Sequence, residues 1–153
     1  QGSVYSLWRG TSWYIGRGDL ALLSFSRDFG ETWHPPVFFQ DPIVIDDEYA
    51  HDTGEMCVDQ KGRIFVVYGK QIPGYAGYHL FVNVSQDQGK TWECSAGPDP
   101  EQCRLDNASP TDLAYPRYFN ITCDQSGRAS VIWYDHRQHI GSPRGYFITI
   151  EVS

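Results

Sequence analysis

The sequence predicts an all-β fold of short antiparallel strands stacked by repetition, and three observations predict it. Gly and Pro together fill 24 of 153 positions and Tyr, Phe and Trp another 23, a balance that favours strands and tight turns over helices. No long window places its apolar residues at the 3.6-residue period of a helix. Two motifs recur at fixed spacing, the mark of a fold built from one repeated unit.

The first motif is an eight-residue box, Ser-x-Asp-x-Gly-x-Thr-Trp, at Ser26–Trp33 and again at Ser85–Trp92. The second is a turn, Asp-Gln-x-Gly-Arg, at Asp59–Arg63 and Asp124–Arg128. They interleave, so the unit can be read in order. Met56 to Val58 forms a strand that enters the turn, and Ile64 to Tyr68 leaves it. A loop holding Pro73 and Gly74 follows, Tyr78 to Val84 runs into the second box, and Trp92 opens a fourth segment. Residues 1–8 align with the turn and second strand of such a unit, and residues 145–153 with a third strand. In the box, the Asp carboxylate is suited to accept neighbouring N–H groups, the Gly to take φ above zero, and the Trp to lay an apolar face over the turn. Ser26, Asp28, Gly30, Thr32 and Trp33, with Ser85, Asp87, Gly89, Thr91 and Trp92, are therefore expected to be structural.

The box resembles the Asp-box, or bacterial neuraminidase repeat, of sialidase-type β-propellers, and the phrase from Tyr115 to Arg137 resembles the first two strands of such blades. The resemblance implies a β-propeller of four-stranded antiparallel blades, with the box as the hairpin between the third and fourth strands. On that alignment a partial blade covers about 1–40, a full blade about 50–97 and a partial blade about 115–153. Ten strands then make about two and a half blades, an incomplete ring where closure takes ~4–8. An open stack leaves faces and edges bare. The expected partners are the remaining blades of a longer chain or other copies of this one, with glycans as candidate ligands.

In a propeller the first-to-second-strand turns and the box turns share one face, while the longer connections share the other. Loops on a rigid scaffold are where binding residues concentrate. The resemblance implies that a sialidase would hold the sugar carboxylate with three arginines, use an Asp as acid/base and a Glu-activated Tyr as nucleophile. Guanidinium forks suit a carboxylate, which makes Arg117 and Arg137 candidate ligands; position 52, which aligns with Arg117, is Asp. Asp46, Asp47, Glu48, His51 and Asp52 form an acidic run. It has the chemistry of general acid/base work or of calcium binding, and more often such a run is a solvated loop. No other cofactor is expected. Trp13 is a candidate for stacking on a sugar ring. The Arg-Ile-Pro phrase of sialidases is missing, since Ile72-Pro73 lacks its Arg, and no Glu–Tyr pair is assignable, so these residues do not hold a full active site.

Nineteen acids against twelve bases give a formal charge of −7 with no basic run, which removes the electrostatic footing for nucleic-acid binding. No apolar run approaches the ~18–20 residues of a membrane span, and no signal peptide is legible at residue 1. Cys94 and Cys103 flank a Gly/Pro loop and are the first expected disulfide, with Cys57 and Cys123 as the second; four cysteines allow three connectivities. Asn83, Asn107 and Asn120 stand in Asn-x-Ser/Thr sequons. Even cysteines with sequons point to an extracellular protein. The functional reading is a sialidase-like recognition or assembly module. The competing readings are part of an exo-acting glycoside hydrolase, with the arginines binding an acidic sugar, and a structural subunit that closes a ring or filament by self-association.

Overall fold

The computed structural model describes residues 2–11, 19–34, 43–46, 54–72, 74–93, 103–112, 114, 116–135 and 144–151. No helix occurs among the described residues. Among the described residues nine strands form three antiparallel sheets, each of three strands in sequence order: β1 (Val4–Thr11), β2 (Asp19–Ser26) and β3 (Ile43–Asp46); β4 (Glu55–Val58), β5 (Ile64–Lys70) and β6 (His79–Ser85); β7 (Pro116–Cys123), β8 (Arg128–Asp135) and β9 (Arg144–Glu151).

Local chemistry dictates the β4–β5 and β7–β8 hairpins. In the first, Asp59 Oδ1 accepts the N–H groups of Lys61 and Arg63, both at 2.9 Å, and Gly62 takes φ of 78°. In the second, Asp124 Oδ1 accepts the N–H groups of Ser126 and Arg128, again at 2.9 Å, and Gly127 takes φ of 86°. A side chain with Cβ pays steric strain at such φ values, so Gly is the residue that permits the turn.

Period-two alternation then stacks the sheets face to face. β5 and β6 are buried along nearly their whole length, because the middle sheet is covered on both sides. One face brings Phe65, Val67, Leu80, Val82 and Val84 against Phe119, Ile121, Ala129, Val131 and Trp133 of the third sheet. The other brings Ile64, Val66, Tyr68 and Phe81 against Leu23, Tyr5 and Leu7 of the first. β7 and β8 instead alternate buried and exposed residues, since among the described residues the third sheet is covered on one side only. Burial of a large aliphatic or aromatic side chain stabilises by ~1.5–3 kcal/mol, so these two interfaces carry most of the folding energy.

Two further ties join the middle and third sheets. Cys57 on β4 and Cys123 on β7 form a disulfide with Cα atoms 5.7 Å apart, across 66 residues of chain. The buried Arg63 donates through Nε to Asp59 Oδ2 at 2.6 Å and through Nη2 to the carbonyl of Gly127 at 2.8 Å, bridging one turn to the next.

The fourth segments are described in part: Trp92 and Glu93 lie within the described residues, and 94–102 lie outside them. Glu93 N–H donates to Val84 O at 2.9 Å, the Cys103 carbonyl accepts Val82 N–H at 2.9 Å, and Leu105 N–H reaches Leu80 O at 2.7 Å, so both ends of this stretch lie along β6. In the first sheet His34 exchanges 2.7 Å bonds with Phe25 before β3 takes up the edge of β2.

Replacing Gly62 and Gly127 separately with Ala tests the inter-turn bridge. Both changes strain a positive-φ site by ~1–2 kcal/mol, but a Cβ on Gly127 falls 2.2 Å from Arg63 Nη2 whereas one on Gly62 meets nothing within 4 Å. Urea unfolding is expected to show Gly127→Ala costing at least ~1 kcal/mol more than Gly62→Ala; equal losses contradict the bridge.

Candidate functional site

The antiparallel topology sorts the turns onto two edges. One edge carries the two Asp-Gln-x-Gly-Arg turns and the two boxes. The other carries the longer connections, including the segments after Lys70, after Asp106 and before Pro116.

The boxes are wired alike. Ser26 Oγ accepts Gly30 N–H at 2.8 Å and donates to Asp28 Oδ1 at 2.7 Å, while Asp28 accepts the N–H and hydroxyl of Thr32 at 2.8 and 2.6 Å. Ser85, Asp87, Gly89 and Thr91 reproduce the set at 2.7–2.9 Å. In each box the residue before Gly is also left-handed, Phe29 at φ 61° and Gln88 at φ 64°, so the carboxylate and serine bonds hold two consecutive residues there. Trp33 and Trp92 are half-buried, and the ring of Trp33 lies 4.0 Å from where a Cβ on Gly30 would stand. Hydrogen bonds from Thr32 and Ser26 hold the Asp28 carboxyl at about 2, and bonds from Thr91 and Ser85 hold that of Asp87 at about 2, against an ordinary 3.8. These side chains are occupied with each other.

On the opposite edge Asp106 is a hub. Its buried carboxylate accepts Leu80 N–H at 2.7 Å, Ala108 N–H at 3.0 Å and Arg104 Nε at 3.2 Å, and lies 3.1 Å from His79 Nδ1. Burial pushes its pKa up, but the bonds from His79, Leu80 and Ala108 with the Arg104 charge outweigh burial and hold it below the ordinary value. A carboxylate only accepts, so Nδ1 of His79 carries the proton. Nε2 of this fully buried ring has no hydrogen-bond partner among the described residues, and the ring meets Tyr75 edge-on at 5.1 Å. Arg104 lies 5.1 Å over the Tyr75 ring. Through Asp106 the start of β6 is fixed to the segment that leads to β7. Sequence reading passed over this cluster; the signal was Asp106-Asn107-Ala108, an Asp with a backbone amide two residues on that it can accept.

Arg117 is exposed on β7, opposite Tyr134. Beside it the register slips, and Tyr118, at φ 52°, stands exposed on the bulge. No sequence signal marks this bulge, although strained, exposed non-Gly residues concentrate at binding sites. Arg137, Asp47, Asp52 and Trp13 lie outside the described residues. So does Cys94, while Cys103 is in a disulfide. Among the sequons, Asn107 and Asn120 are exposed; Asn83 is fully buried in β6, which leaves no room for a glycan. Among the described residues no group of three or more His, Cys, Asp or Glu gathers for a metal ion, and no helix is long and apolar enough to cross a membrane.

No protein-family model matches the chain, and no curated protein matches it. The site is therefore read from its own geometry.

Acid tests the box wiring. A carboxylate whose folded pKa lies below its unfolded one stabilises above the unfolded value, and the contribution is lost as pH falls through the folded value. The urea midpoint is expected to fall between pH ~4 and ~2, and Asp87→Asn is expected to flatten part of that fall. A midpoint unchanged across this window contradicts the wiring.

Proposed function

We propose that the chain is a segment of an extracellular Asp-box β-propeller of the sialidase-like kind, acting as a recognition and assembly module. One observation carries this reading. The three sheets stack with the same strand positions facing the same way: the first sheet packs on the middle one and the middle one on the third through equivalent positions, as wedges of a circular array require. The repeated box hairpins support the family resemblance, and the Cys57–Cys123 disulfide supports an oxidising compartment.

Recognition is assigned to the edge of long connections. Arg117 offers a planar fork for a carboxylate, and Tyr118 and Tyr134 offer exposed rings beside it. The ligand class that fits this pair of features is an acidic glycan, whose ring stacks and whose carboxylate is forked. Binding is proposed because an exposed guanidinium and exposed rings are features of recognition.

Titration of the chain with a sialylated oligosaccharide by calorimetry tests the assignment. Arg117→Ala is expected to weaken binding at least about tenfold, the loss of one charge-assisted fork. Equal affinity for wild type and variant contradicts it.

A further inference from the structure

We infer that Asn120 carries an N-linked glycan in the native protein, and that the sequons at Asn83 and Asn107 stay bare. This rests on the extracellular reading of the chain and names the modification that such a compartment adds.

The donor of an N-linked glycan is an oligosaccharide held on a polyprenyl pyrophosphate. Asn Nδ2 bonds to the sugar C1 as the C1–O bond to the pyrophosphate breaks; the pyrophosphate carrier leaves and the amide gives up one proton. Because the transfer acts on the extended chain, the fold then decides which glycans the native protein can hold, and a bulky polar branch is held only at a surface.

Asn83 fails that condition. It is fully buried in β6, inside a sheet covered on both faces. Its sequon exists because the box needs Ser85, whose hydroxyl accepts Gly89 N–H at 2.7 Å and donates to Asp87 Oδ1 at 2.9 Å. A chain glycosylated at Asn83 cannot close the stack. At Asn107 the sequon runs directly into Pro110, which restricts Ser109, the hydroxyl-bearing residue, to extended backbone. The residue between them, Ala108, is buried with its N–H bound to Asp106.

Asn120 differs on each count. β7 alternates, so Asn120 and Thr122 are both exposed on one face with Ile121 buried between them. Among the described residues the Asn120 amide has no hydrogen-bond partner. Its exposure does not depend on what lies beyond the third sheet. The repeated turns make Asn120 equivalent to Glu55 and its cross-strand partner Ile132 equivalent to Val67. The third sheet packs on Val67 and buries it fully, yet Glu55 remains exposed. A sheet laid on this row thus covers the second strand and leaves the first strand open.

Site mapping on secreted protein tests this. The chain is exported behind a cleavable leader from a eukaryotic host, and its glycans are removed by an amidase in heavy-oxygen water, which converts each occupied Asn to labelled Asp. The label is expected at Asn120 and at neither Asn83 nor Asn107, in protein whose Cys57–Cys123 bond is formed. Thr122→Ala is expected to lose the label and Thr122→Ser to keep it. Label at Asn83 or Asn107 in exported protein, or a bare Asn120, overturns the inference. Export of Asn120→Gln where the parent is retained also overturns it, since the glycan then blocks the fold. The leader imposes the compartment, so a bare Asn120 counts against the site and leaves the extracellular reading standing.

Discussion

The constraint from which the rest follows is that the middle sheet has no free face. A strand exposes alternate residues to opposite sides, so a sheet buried on both needs apolar or satisfied side chains at every position. β5 meets this with Ile64-Phe65-Val66-Val67-Tyr68 and β6 with His79-Leu80-Phe81-Val82-Asn83-Val84-Ser85, all buried. The polar members are placed accordingly: His79 is turned to Asp106 and Ser85 is consumed by its box. The flanking sheets need only one such face and read as alternating. Relative burial thus distinguishes the middle sheet from β8, which among the described residues turns Arg128, Ile132 and Tyr134 outward.

Edge chemistry holds the layers in register. Asp59 and Asp124 perform the same task in their hairpins, but only the Asp59–Arg63 pair is clamped between two sheets. Burial pushes the Asp59 carboxyl up, and the bonds and charge of Arg63 outweigh it, leaving the net value lowered. Arg63 stacks 5.7 Å over Phe65 and reaches Gly127, while the disulfide below it ties the first strands of the two sheets. Removing one partner of a buried pair of this kind is strongly destabilising, because it leaves the other charge buried and uncompensated. On the other edge Asp106 does the corresponding work for the connecting segment.

Local chemistry was legible in the sequence and tertiary chemistry was not. The box bonds of Ser26, Asp28 and Thr32 span four residues, so their residue types announce them, and the same holds for the Asp-Gln-x-Gly-Arg turns. Cys57 with Cys123 was one of three connectivities, suggested because both lie late in similar strands. The Asp106–His79 contact joins residues 27 apart and leaves only the short Asp-Asn-Ala signal. Tyr118 has no glycine to mark its left-handed backbone. Arg63 and Arg128 are indistinguishable in sequence and differ only in what lies beyond them. Asn83 satisfies the sequon pattern and is fully buried by the sheet stack. Among the candidate ligands Arg117 is exposed on β7, and Arg137, Asp47, Asp52 and Trp13 lie outside the described residues.

The central claim is that β4 and β7 are neighbours in a face-to-face stack. Non-reducing peptide mapping by mass spectrometry tests it most directly. The account predicts one linked pair of peptides containing Cys57 and Cys123. A peptide linking Cys57 to either other cysteine, or a free thiol at Cys57 or Cys123 in native protein, contradicts it.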